Sequence, residues 1–108
     1  MANLNLSIAV GNYDRNRALF DGDVQIDGVD PIFMKLSPEE IFFRAFRNQD
    51  FDICKLSFSS YTVSTAQDSG HYIAIPVFMS RCFRHSSIYI RKGKGINEPA
   101  DLRGKRIG

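Results

Sequence analysis

The stretch Ser37-Pro38-Glu39-Glu40 constrains the fold of this chain more than any other four residues. A serine placed to cap free backbone N–H groups, a proline at the first helical position and a glutamate three residues after the serine form a helix start with a capping box. The spacing predicts a helix to about Asn48, with Ile41, Phe42, Ala45 and Phe46 on one face and Arg44 and Arg47 in solvent or near the negative end of the helix dipole. An aromatic stripe at this spacing is the core-facing side of a helix rather than a cofactor site, so it needs a surface to pack against. The flanking sequence supplies one. Upstream, Leu4, Leu6, Ile8 and Val10 alternate with Asn5, Ser7 and Ala9, which predicts a strand running into Gly11. Downstream, Phe51, Ile53 and Lys55 against Asp52, Cys54 and Leu56 predict a second short strand, mixed enough to be buried on both faces.

The remaining segments extend this α/β pattern. Polar Asn12 to Arg17 leads into a helical turn at Ala18, Leu19 and Phe20. Asp27-Gly28, between Val24-Gln25-Ile26 and the run from Val29 to Leu36, predicts a hairpin, and Pro31 confines its second arm to a sheet edge or a bulge. A second helix is expected over Tyr61–Ser69, capped by the preceding serines and stopped by Gly70. Tyr72–Met79 and Ser86–Arg91 have the character of two strand segments joined through Ser80 to His85. Gly93 to Pro99 is loop, Pro99–Leu102 one helical turn, and Lys105–Gly108 the start of a further strand, so the chain is expected to be an incomplete domain.

With 44% hydrophobic and 24% charged residues, the composition is that of a folded chain rather than a disordered one. A net charge of +2 from 14 basic and 12 acidic residues spread along the sequence excludes the dense basic stripe of a nucleic-acid binder. Only Arg81, Arg84, His85, Arg91, Lys92 and Lys94 crowd together. Cys54 and Cys82 fit no metal spacing and are too few for a disulfide framework, so reduced thiols are expected. The first ten residues lack the basic start and apolar run of a secretory signal, and no segment is apolar enough to span a bilayer, which together imply a cytoplasmic location.

The order of elements and the closing "ADLRGKRIG" resemble the first lobe of type II periplasmic-binding folds. More specifically, "NLNLSIAV", "EEIFFRAF" and above all "AIPVFMSRCFRHSSIYIRK" resemble the 4,5-dihydroxyphthalate decarboxylases of phthalate breakdown, with Ser80 to Tyr89 the sharpest match. The resemblance spans essentially the whole chain. It implies that residues 1–108 are the N-terminal part of lobe 1, with a mixed sheet flanked by helices and the second lobe absent. It also implies a carboxy-lyase that converts an aromatic dicarboxylate to protocatechuate, with no organic cofactor motif in this stretch. Ligands of this fold bind between two lobes, so part of any site would lie elsewhere. Fold alone does not decide function. Two alternatives therefore stand beside the enzyme: a solute-binding protein for an aromatic or small organic acid, and an inactive truncated fragment. The oligomeric state is left open, a homo-oligomer included.

Losing carbon dioxide from an aromatic dicarboxylate requires cations to hold a dianion and an acid to protonate the ring carbon. Arg81 and Arg84 can grip carboxylates through paired hydrogen bonds, and His85, as a histidine, can deliver a proton. The bland reading of these three is a solvated face. Ser57, Ser59 and Ser60 precede a helix whose free N–H groups suit an anion, though plain capping explains them as well. Tyr13 and Arg15, beside Asn12 and Asp14, follow the first strand, where open α/β sheets place their ligands. His71 is expected to be an ordinary loop residue, and no phosphate loop, nucleophile elbow or zinc pattern is present.

Overall fold

A computed structural model describes residues 2–108, which divide into two compact units, one reaching Val77 and the other running from Phe78 to Gly108. In the first, strand β1 (Leu4–Val10) is followed by a 3-10 turn, Asp14–Asn16, and helix α1 (Arg17–Phe20). Strand β2 (Val29–Lys35), helix α2 (Pro38–Asn48), strand β3 (Ile53–Cys54) and helix α3 (Phe58–Ala66) complete it. The three strands form a parallel sheet in the order β2-β1-β3, so the strand built first ends in the middle.

The register explains which side chains face which layer. Ala9 lies beside Met34 on β2 and Cys54 on β3, and this face carries α2: Ala9, Ile41, Ala45 and Phe51 form the buried core, with Met34, Leu36, Phe42, Cys54, Leu56 and Tyr72 packed around it. Two alanines facing each other let α2 approach the sheet closely. On the other face Ile8 lies beside Phe33, whose ring meets Phe20 of α1 edge to face at 5.3 Å. The alternation of Leu4, Leu6, Ile8 and Val10 is thus a true strand pattern, but both faces of its carboxyl half are buried, and Leu4 is exposed.

Helix α2 starts and stops as its sequence dictates. Ser37 Oγ accepts the Glu40 N–H at 3.2 Å, Pro38 occupies the first turn, and Gln49 closes the helix in the left-handed region, its N–H bonded to Ala45 O. The expected return bond from the Glu40 carboxylate is replaced: that group accepts from Arg44 at 3.2 Å. Arg44 is not simply solvated. It also donates to Asp50 at 2.8 Å and lies over the Phe51 ring at 4.8 Å, tying the helix to the start of β3. Pro31 sits on β2, the sheet edge, as expected of a residue with no N–H to give.

Five sequence expectations are corrected. Asp27-Gly28 is a turn, with Gly28 at φ 74°, but not a hairpin: β2 pairs in parallel with β1, Val24–Ile26 stay outside the sheet, and the Leu4 N–H bonds Gly28 O. The Asp-Gly rule presumes that the two flanking runs pair with each other, and here β1 takes the second run first. Helix α3 begins three residues before Tyr61 because Ser57 is its N-cap, and its end is turned by Asp68 at φ 51° rather than by Gly70. Tyr72–Met79 and Ser86–Arg91 are not strands, and Lys105–Gly108 starts none. A β-prone run becomes a strand only with a ladder partner, and among the described residues these segments have none. Ile73 and Tyr89 are accordingly 93% and 89% exposed. The second unit holds instead two 3-10 turns, Arg84–Ser87 and Pro99–Leu102, the latter matching the predicted turn.

Ser7 and Asp52 fasten β1 to the entry of β3. The Asp52 carboxylate accepts both the Ser7 hydroxyl at 2.6 Å and the Ser7 N–H at 2.8 Å, while the Asp52 N–H donates to Ser7 Oγ at 2.9 Å. These bonds hold the Asp52 carboxyl below its ordinary value of 3.8, the hydroxyl contributing most. A depressed folded-state pKa gives stability that is complete above the unfolded value and is lost as pH falls through the folded one. Acidification below about 3.8 is therefore expected to loosen the sheet, and Ser7→Ala, which removes the hydroxyl bond but keeps the Ser7 N–H bond, should move Asp52 part of the way back toward the ordinary carboxyl range and weaken this dependence. An NMR titration of the Asp52 carboxyl carbon in both proteins checks this; equal midpoints would refute it.

Candidate functional site

Parallel strands deliver the residues that follow them to the same edge of the sheet, the ordinary ligand edge of open α/β folds. Here β1 and β3 are hydrogen-bonded neighbours, so the residues just beyond Val10 and Cys54 emerge side by side. Tyr13 lies beyond β1, and its N–H turns back to Gly11 O at 3.0 Å. The buried Asn16 side chain bonds the same carbonyl at 3.2 Å, which braces the turn. Lys55, whose N–H bonds Ala9 O at 3.0 Å, continues β3 by one residue. Its Nζ donates a part-buried hydrogen bond to Tyr13 Oη. The Arg15 guanidinium lies over the Tyr13 ring at 4.0 Å and the Lys55 ammonium 4.9 Å from its centre, so two cations share one phenol.

Gly11 makes this arrangement possible. A Cβ built there would lie 2.7 to 3.0 Å from three atoms of the Tyr13 ring and hydroxyl, closer than real side chains pack. Only the absence of a side chain lets the ring fold back over the end of β1. From sequence, Tyr13 and Arg15 belong at the ligand edge while Lys55 reads as a strand residue only. Its position at the end of the second predicted strand was the available signal.

Two residues on from Lys55, Ser57 begins α3. Its Oγ accepts the Ser60 N–H at 3.5 Å and lies 3.0 Å from Ser59 Oγ, so Ser57 is engaged as a helix cap. Ser59 and Ser60 instead line an open groove of about 300 Å³ with Phe46, Val63, Ser64 and Gln67.

Arg81, Arg84 and His85 belong to the second unit and are exposed. They occupy a loop and a 3-10 turn rather than the expected corner between two strands. The Arg81 guanidinium covers the Phe78 ring at 4.4 Å, and the His85 ring lies 6.0 Å from that of Phe83. His85 also lines an open groove of about 290 Å³ whose walls include Ile88, Ile90, Ile96 and Leu102, a largely apolar trough with an imidazole at one side. His71 is exposed, as expected. Cys54 and Cys82 are free thiols, and burial pushes the Cys54 thiol up, away from reactivity. Among the described residues no cluster of His, Cys, Asp and Glu could hold a metal, and no helix is long and apolar enough to cross a membrane.

No family model matches the chain. It is, however, 70% identical over all 108 residues to a curated 4,5-dihydroxyphthalate decarboxylase of Comamonas testosteroni and 69% identical over the same length to one of Pseudomonas putida. The chain spans 33% and 42% of the length of these two relatives.

Proposed function

We propose that this chain is part of an enzyme that removes one carboxylate from 4,5-dihydroxyphthalate, or a closely related aromatic dicarboxylate, to leave protocatechuate. The observation that carries the proposal is the identity of about 70% to two decarboxylases along every residue of the chain. With it we propose that residues 1–108 are the N-terminal part of one lobe of a type II periplasmic-binding-like fold, and that the enzyme acts in the cytoplasm. A parallel sheet presenting cations and hydroxyls at the ends of its strands is consistent with that fold.

In the proposed reaction, electrons from a ring oxygen para to the departing group raise the electron density at the carbon that bears it. That carbon takes a proton, its bond to the carboxylate breaks, and the electrons of that bond restore the aromatic ring as carbon dioxide leaves. The dianion plus one proton gives a monoanion plus carbon dioxide, so the step needs no oxidant or reductant. We assign the proton to His85 and recognition of the carboxylates to Arg81 and Arg84, with Tyr13, Arg15, Ser57, Ser59 and Ser60 as further substrate-binding residues. We assign no cofactor to this segment.

The test is carbon dioxide release and protocatechuate formation by the protein carrying this sequence, supplied with 4,5-dihydroxyphthalate. Wild type is expected to release one carbon dioxide per substrate. His85→Gln should lower kcat by about 10²- to 10⁴-fold, the range for loss of a positioned general acid, with KM little changed. Arg81→Ala and Arg84→Ala should chiefly raise KM. Tight binding with no gas released would overturn the enzyme in favour of a solute receptor.

A further inference from the structure

Among the described residues Lys55 is a cation without a counter-ion. Arg17 pairs with Asp21 and Arg44 with Glu40 and Asp50, and no ion pair among the described residues involves Lys55. Its ammonium sits in a part-buried position between aromatic rings, 4.9 Å from the centre of Tyr13 and 5.9 Å from that of Phe42, with Tyr13 Oη as its hydrogen-bond acceptor. An ammonium has three N–H donors, and a phenol that accepts from it still holds its own O–H to give. Lys55 and Tyr13 therefore bring unused donors to one point, in a place where partial burial favours an anionic partner. The backbone at both ends is fixed, since Lys55 N–H bonds the central strand and Tyr13 is turned back on Gly11.

We propose that Lys55 Nζ and Tyr13 Oη together form the subsite for one carboxylate of the aromatic substrate, with Lys55 supplying the charge and Tyr13 the direction. The proposal rests on the decarboxylase reading for the identity of the substrate, while the subsite itself follows from the unpaired cation and its hydroxyl partner. The flanking Tyr13 and Phe42 rings suit a carboxylate carried on a flat ring better than a bare inorganic anion.

The test titrates the protein carrying this sequence with phthalate, which keeps both carboxylates, and with catechol, which has none, by calorimetry. Lys55→Met is expected to weaken phthalate about 10- to 100-fold, as loss of a charge-assisted hydrogen bond does, and to leave catechol within about twofold. Lys55→Arg should recover most of the loss. Tyr13→Phe should weaken phthalate by about three- to tenfold, the smaller effect of removing a neutral donor. Lys35→Met, which removes a lysine stacked on Phe20, is the control and should change neither titration. Near-UV circular dichroism confirms folding of each variant.

Phthalate affinity unchanged in folded Lys55→Met, or lost equally for phthalate and catechol, overturns the subsite. If wild type decarboxylates 4,5-dihydroxyphthalate while Lys55→Met binds phthalate normally, the subsite falls and the enzyme stands. If Lys55→Met loses phthalate selectively but wild type releases no carbon dioxide, the enzyme falls and the subsite stands. Folded wild type that binds no phthalate overturns the subsite outright.

Discussion

Replacing Ile41 with alanine is expected to destabilise the first unit by about 2–5 kcal/mol, the range for emptying a fully buried aliphatic site. Among the described residues Ile41 is the largest fully buried side chain, and it sits with Ala9 and Ala45 where α2 meets the central strand. Ala9 and Ala45 are too short to swing into the space, while Phe51, Met34 and Leu36 around the cluster can relax toward it, so the cost should fall within that range rather than below it. A domain is stabilised by only about 5–15 kcal/mol in total, so such a loss is a large fraction of it. Urea unfolding followed by far-UV circular dichroism reads the result as a lower midpoint at unchanged slope. A midpoint within error of wild type would mean that the contact between α2 and the sheet is not the main core of this unit. Ile41→Val, which removes one methyl group, should cost about 0.5–1.5 kcal/mol and keep the fold.

The second large effect is expected at Gly11, and it separates function from stability. Gly11→Ala places a methyl group where the Tyr13 ring now lies, 2.7 Å from its nearest atom. The obstruction is a side-chain ring rather than backbone, so the ring can swing away and the stability change should stay below about 1.5 kcal/mol, the lower part of the overpacking range. Moving the ring takes Tyr13 Oη from Lys55 Nζ and the aromatic face from under Arg15. Phthalate affinity should then fall by about tenfold, comparable to the loss of one well-placed polar contact. Calorimetry with phthalate and a urea melt on the same sample check both halves. A large stability loss with affinity unchanged would show that the ring supports the fold and not the ligand.

Much of this architecture was legible residue by residue. The cap at Ser37, the extent of α2, the strand at Leu4–Val10, the edge position of Pro31 and the 3-10 turn at Pro99–Leu102 all follow from local chemistry, because each depends on groups a few residues apart. The family resemblance was legible as well, since it rests on the order of residues alone. The candidate site was only half visible. Tyr13 and Arg15 were placed by the rule that loops after strands carry ligands, whereas Lys55 became apparent only when β3 was seen to lie against β1 and to set Nζ beside the phenol.

The errors have a common cause. Asp27-Gly28 reads as a hairpin, and Tyr72–Met79 and Ser86–Arg91 as strands, because their propensities are genuine. A strand, however, is a statement about two segments, and its hydrogen bonds run to residues that local sequence does not name. By itself the sequence determined where α2 begins and ends, which segments prefer extended backbone and which residues bear charge, all properties of short range. Tertiary structure alone decided that β1 is the central strand, that Ala9 faces α2, that Ser7 clasps Asp52 and that Lys55 meets Tyr13. Those outcomes depend on which of several competent partners arrives, and long-range packing settles that choice.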